Sequence, residues 1–256
     1  WDVFPWVYLS PLRFFFKFYQ NFFIQKYYKF PNTDYYCVTG TKGKYDIFKK
    51  NVKILFFPHF DFIINKLNYK NIYVKKNYFV YLDQNYQYSH DFKITNYHNR
   101  FSSFEDEINN FLLLLKKKLN IDIIIASHPK RNLSKKSILT KNWKIIKGKT
   151  SELVGNSKAV IAHNSQSINY AVLNNKPLIF LTTNQLENSD QFENINSNSN
   201  YFKKKKINVS NIDIDSFKFN KLIYLKINKN VYDKYIKNFI AINKNINFKK
   251  ILKKIV

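Results

Sequence analysis

His128 is the side chain best placed by its neighbours to do chemistry. Pro129 follows it, and the proline ring fixes its own φ and restricts the residue before it, so the imidazole is held in one direction. An imidazole so held can donate to a phosphate or protonate a leaving oxygen. It can equally be a turn histidine bonded to nearby backbone. The stretch His163-Asn164-Ser165-Gln166-Ser167 puts two hydroxyls at a helix start, where unpaired amide N–H groups make an anion site. Plain N-capping would need only one of those serines. A second helix start is Gly148-Lys149-Thr150-Ser151-Glu152. Glu152 there can hold ribose hydroxyls or answer the helix dipole. Asp83, followed by Gln84, is a general base, a ribose contact or a carboxylate that caps a turn. Upstream, Pro58-His59-Phe60-Asp61 opens a helix after a strand, so Asp61 can face the same cleft.

These residues matter only if the chain brings them together. Three of the sites follow short apolar runs. Tyr78 to Leu82 leads into Asp83, Ile121 to Ala126 into Ser127-His128, and Ala159 to Ala162 into His163. Further strands are expected over 33–38, 52–57, 143–146 and 178–181. Ser102 or Ser103 is expected to cap a helix with Glu105, Asp106 and Glu107 in its first turn. Ile108, Phe111, Leu112, Leu115 and Leu119 form its buried stripe. Shorter helices are expected from 148–150 to Val154, from Ser165 or Ser167 to Asn174, and near 231–241. Residues 184–200, rich in Asn, Ser and acids, read as a mobile loop, and Lys203 to Lys206 as a solvated basic run. Strand and helix alternating at this spacing implies an α/β fold with a parallel sheet and helices on both faces. In such a sheet ligands bind beyond the carboxyl ends of the strands, where Asp83, His128 and His163–Ser167 are expected to converge. A boundary near residue 76 is expected to separate a partial N-terminal α/β domain, 1–76, from a complete one, 77–256.

Composition narrows the function. Lys and Arg number 43 against 17 Asp and Glu, for a net charge of +26, yet 45% of the residues are apolar, enough for a core. That excludes a disordered polyelectrolyte. The excess of Lys, Asn, Ile, Phe and Tyr is what an AT-rich coding sequence produces. It also suits an anionic partner. Arg13, Arg100 and Arg131 are the only arginines, which argues against nucleic acid. A single cysteine, Cys37, excludes a disulfide framework and a Cys-based zinc site. Four glycines spell neither a Gly-x-Gly-x-x-Gly nor a P-loop, and no Gly-x-Ser-x-Gly elbow is present. No His-x-x-x-His spacing marks a metal, and Asp213-x-Asp215 on an expected strand is poor evidence for one. No apolar run approaches a membrane span. The aromatic, basic segment 1–30 reads as an interfacial helix or as a core helix whose preceding strands lie outside this sequence.

The order of these motifs resembles the nucleotide-binding half of GT-B glycosyltransferases of bacterial surface polysaccharide synthesis. It is most similar to the group with a His-Pro motif and a later serine motif, the bacterial sialyltransferases and capsule Kdo transferases. The residues that carry the resemblance are Asp83-Gln84, Ser127-His128-Pro129, Gly148, Thr150, Glu152-Leu153-Val154, His163 to Ser167 and Asn175 to Ile179. They span roughly 78–182. The resemblance implies a GT-B-like, Rossmann-type fold and a metal-independent transfer of sugar from a nucleotide-activated donor, CMP-sugar favoured, with no cofactor beyond that co-substrate. The acceptor would be a saccharide or glycolipid of capsule or lipopolysaccharide. His128 would contact the donor phosphate and serve as acid, with Pro129, Ser165, Ser167, Thr150, Glu152 and Gln84 binding nucleotide or phosphate. Asp83 would be the base only loosely, since the expected pair of acids is Asp83-Gln84-Asn85 here, which leaves Asp61 and Asp91 as alternatives. A cytoplasmic setting is expected, and the basic, aromatic surface suggests peripheral contact with an anionic inner membrane. The alternatives are a non-catalytic GT-B-like protein that binds nucleotide or polysaccharide, and a relative that uses a UDP-sugar.

Overall fold

A computed structural model describes residues 35–42, 53–68, 77–88, 101–213 and 216–242. The expected boundary near 76, the segment 1–30, Asp91 and Asp215 lie outside the described residues. Two compact units divide the chain, residues 1–36 with 47–54 and residues 37–46 with 55–256. The second holds the sheet and all the sites below.

Its elements follow the alternation read from the sequence. β1 (Tyr35–Thr39) and β2 (Lys53–Phe57) form a two-stranded sheet, and α1 (Phe60–Leu67) follows. Then come β3 (Tyr78–Leu82), α2 (Phe104–Leu119), β4 (Asp122–Ser127), α3 (Ile138–Asn142), β5 (Lys144–Lys147) and α4 (Thr150–Asn156). β6 (Ala159–Ala162), α5 (Ile168–Leu173) and β7 (Leu178–Thr182) continue the pattern. The segment 184–200 is not the expected loop. It forms α6 (Asn184–Glu187) and α7 (Gln191–Tyr201), and the basic run turns into a short strand, β8 (Lys206–Asn208). α8 (Lys221–Leu225) and α9 (Lys229–Tyr235) end the described chain, α9 running into a π-helical turn, Ile236–Ile240.

The main sheet has six strands in the order β5-β4-β3-β6-β7-β8, with every neighbouring pair parallel. The chain starts in the middle, moves outward one way, then returns to build the other half. This is the doubly wound, Rossmann-type order; its direction reverses between β3 and β6, and in sheets of this order ligands bind beyond the carboxyl ends at that reversal. Strand periodicity divides the core. Phe79 and Tyr81 join α2 on one face, while Tyr78, Val80 and Leu82 join α4 and α5 on the other. Both faces are therefore apolar, as a sheet covered on both sides requires.

Helix α2 shows how local chemistry fixes an element. Three acids open it and Lys116, Lys117 and Lys118 close it, each answering the nearer pole of the helix dipole. Ser103 occupies the N-cap position without making the capping bond. Its hydroxyl donates instead to Glu107 at 2.7 Å and accepts from Gln185 of α6, so tertiary tethering has displaced the local cap.

Gly40 ends β1 with φ of +61° against the π-helical turn. A Cβ there would lie 2.2 Å from the Asn238 carbonyl oxygen, while Thr41 and Lys42 donate backbone bonds to Lys237 and Asn238 at 3.0 and 2.9 Å. Gly40→Ala is expected to cost about 2–4 kcal/mol, from left-handed strain plus overpacking against rigid backbone. Urea denaturation measures it, and a loss under about 0.5 kcal/mol would show that the contact yields freely.

Candidate functional site

The register places the motif residues. Leu82 lies opposite Ala126 and Tyr81 opposite Ile161, while Ser127 lies opposite Lys147. Asp83, Ser127, Lys147 and His163 are therefore level on the carboxyl edge of four adjacent strands. His128 leaves β4 and Thr150 follows β5 one strand away. Ser165 and Ser167 follow β6, two strands from β4. At about 4.8 Å per strand, the backbone at Ser127 lies about 5 Å from Lys147 and about 10 Å from His163. The structure thus brings His128, Thr150 and the serine segment to one rim.

Of the three roles open to Asp83, the structure shows the turn carboxylate. Its side chain is 1% exposed, and its Oδ2 and Oδ1 accept from Arg131 Nε at 2.5 Å and Nη2 at 2.8 Å. The same oxygens accept the backbone N–H of His128 at 3.1 Å and of Asn85 at 2.9 Å. Four donors saturate a carboxylate, so Asp83 cannot act as a base. Arg131 also meets Glu105 of α2 at 2.8 Å, both side chains being 4% exposed. Burial alone would lower the guanidinium pKa. The Asp83 bonds and the charges of Asp83 and Glu105 outweigh it and raise the value. Asp83 therefore positions the His128 turn, which Arg131 closes by donating its N–H to the His128 carbonyl at 3.0 Å. Sequence reading missed Arg131 and Glu105. A lone arginine three residues after the histidine was the available signal.

His128 is half-buried, and its Nδ1 accepts the Lys130 N–H at 3.2 Å. A neutral ring bonded this way carries its proton on Nε2. Burial lowers its pKa, and Lys130, Arg131 and Lys147 lower it further against the pull of Asp83. His128 is then a neutral hydrogen-bond donor at pH 7, whereas an acid for a leaving group needs the second proton. Pro129 is exposed in the turn. Gln84 accepts from the Tyr86 hydroxyl at 3.1 Å. Thr150 and Glu152 are half-buried in the first turn of α4, which no side chain caps. Gly148 turns into it with φ of +78°, the left-handed region open to glycine.

The start of α5 differs from expectation. The amides of Ser167, Ile168, Asn169 and Tyr170 are all taken, by Ser165 Oγ and by the carbonyls of Ser165, Gln166 and Ser167. The tight turn before the helix consumes the donors that would hold an anion, so any grip there rests on the Ser165 and Ser167 hydroxyls. No side chain caps the first turn of α4, so its backbone N–H groups keep no partner within the helix.

His163 is fully buried. Its Nδ1 lies 2.9 Å from the Leu181 carbonyl, which can only accept, so Nδ1 carries the proton and Nε2 accepts from the Tyr81 hydroxyl at 3.1 Å. Burial pushes its pKa down to about 4, against the raising effects of that carbonyl and of Asp83.

Asp61 reaches the first turn of α5 from α1. Asn169 donates to it at 2.8 Å, and Tyr235 donates to Asn169 at 3.1 Å, which fixes the amide's orientation. His59 Nδ1 lies 3.2 Å from Asp61 Oδ2. Burial would raise the Asp61 pKa, but bonds from His59, Asn169 and Tyr170 hold it below the usual range. The Asp61 bond raises the His59 pKa against burial. The Asp61 side chain is 15% exposed.

Among the described residues, no group of three or more His, Cys, Asp or Glu gathers as metal ligands would, and no helix is long and apolar enough to cross a membrane. Comparison with family models, curated proteins and solved structures finds no match. The geometry of the rim therefore carries the functional reading.

Proposed function

We propose that this chain is a GT-B-type glycosyltransferase that binds the phosphate of a nucleotide-activated sugar at the carboxyl rim of its doubly wound sheet, with CMP-sugars favoured. The observation that carries the reading is that His128, Thr150, Ser165 and Ser167 all follow the carboxyl ends of strands, β4, β5 and β6, in the half of the sheet that flanks the switch point. Breaking a sugar–phosphate bond leaves negative charge on the nucleotide. An imidazole N–H, hydroxyls and first-turn amides aimed at that charge stabilise it electrostatically. Glu152 and Gln84 are suited to the sugar hydroxyls of the nucleotide. Asp61, rather than Asp83, is the carboxylate assigned to the acceptor hydroxyl, because its side chain is 15% exposed where that of Asp83 is 1% exposed. The acceptor is a capsule or lipopolysaccharide saccharide.

Thermal shift with CMP, CDP, UDP and GDP tests the reading. A nucleotide at about a hundred times its Kd should stabilise by about 2.7 kcal/mol, or about 5–10 °C in a domain of this size. His128→Ala should remove most of that shift while leaving the unliganded Tm within about 2 °C. The depressed pKa sets the pH dependence. Affinity should rise as pH falls below 6.5 and the ring gains its second proton, and the variant should lose that rise. No shift with any nucleotide would sink the proposal. The saturation of Asp83 favours a second reading, a non-catalytic rim that binds nucleotide or polysaccharide. A nucleotide shift without release of nucleotide from any activated sugar would select it.

A further inference from the structure

At the opposite edge of the sheet, just before β8, a cavity of about 570 Å³ lies between the end of α7 and the segment joining α8 to α9. Lys203, Lys204, Lys226 and Lys229 line it, with Phe202, Ile223 and Ile227 as apolar surface, and among the described residues no acid lines it. Its wall is built. Lys204 Nζ donates to the carbonyls of Tyr224 and Lys226 at 3.0 and 2.5 Å, pinning the α8 end against the α7 end. Lys203 sits at φ of +53°, the left-handed position after a helix where glycine or asparagine is favoured. Lys203 thus lines the cavity from the left-handed turn that ends α7. Ile223 stays 49% exposed beside these cations.

We propose that this cavity takes the phosphate headgroup of an anionic phospholipid, with the first carbons beyond the phosphate against Ile223 and Ile227. The shared chemistry is a phosphate ester on an apolar body. Free phosphate would meet the lysines and leave the isoleucines in water, and so would the backbone of a nucleic acid. A lipid headgroup uses both, and lysines near an anionic bilayer are drawn to it. The inference is independent of the rim, since the cavity lies at the amino edge of the strands and the candidate site at the carboxyl edge.

Vesicle co-sedimentation tests it with the full chain, comparing phosphatidylglycerol in phosphatidylcholine with phosphatidylcholine alone. The double variant Lys226→Glu/Lys229→Glu should lose about tenfold or more in partitioning to the anionic vesicles. Lys136→Glu/Lys141→Glu, with the same change in charge on other exposed lysines, should keep affinity within about threefold. Ile223→Ser leaves the charge untouched and should weaken binding about threefold. Monomeric dihexanoyl-phosphatidylglycerol should raise the Tm where inorganic phosphate at equal concentration does not. Equal losses in the two double variants would reduce the effect to overall charge and overturn the proposal. An equal response to inorganic phosphate would overturn the lipid assignment.

Discussion

Arg131→Met should lower stability by about 3–5 kcal/mol, the cost of leaving buried charge without its partner. Asp83 and Glu105 would then face each other, almost wholly buried, without the guanidinium that separates them. Methionine fills much of the volume, so the loss reports charge rather than a cavity. Urea denaturation at pH 7 measures this, and a variant that loses under about 1 kcal/mol would show the triad to be incidental. Lysine cannot rescue fully, because it lacks the fork that meets both Asp83 oxygens.

His163→Gln should flatten the acid side of the stability profile. The folded pKa of His163 is about 4 and its ordinary value is 6.5. The unfolded chain therefore binds the extra proton first, and stability falls with pH between those values. The full contribution is present above pH 6.5 and has been lost by about pH 4. At about 1.4 kcal/mol per pH unit the loss approaches about 3 kcal/mol. Glutamine keeps both polar bonds, its amide donating to Leu181 and its carbonyl accepting from Tyr81, but does not titrate. The raised pKa of His59 acts in the opposite sense, since protonation there stabilises the fold. The comparison between variant and parent removes that contribution, because His59 is present in both. A parallel fall in both proteins between pH 6.5 and 4 would exclude His163 as the source.

Much of the sheet was legible as local pattern. Tyr78 to Leu82 and Ala159 to Ala162 match β3 and β6 residue for residue, because strands buried on both faces read as unbroken apolar runs. The segment 191–201 was not legible. Asn and Ser have middling to low helix propensity, and only Ile195 and Ser199 of α7 are buried, too narrow a stripe to show a helical period. β8 was hidden for a related reason. It is three residues long with lysine at its start, and its strand character comes from pairing with β7.

The candidate site divides along the same line. His128-Pro129, Thr150 and the serine segment could be read as rim residues, since each follows a recognisable strand. Whether a rim carboxylate is available or engaged could not be read from its neighbours. Asp83 and Arg131 stand 48 positions apart, and Asp61 and Asn169 stand 108 apart.

The residue order by itself determined the alternation of strand and helix, the α/β class and which side chains stand at strand ends, because apolar periodicity and helix-end chemistry act within a few residues. Only the tertiary structure decided that Asp83 is a strut, that His163 is neutral, that the α5 amides are spent and that Asp61 is bonded to Asn169 of α5. Those outcomes depend on burial and on partners distant in the chain, and both are set only when the sheet has closed.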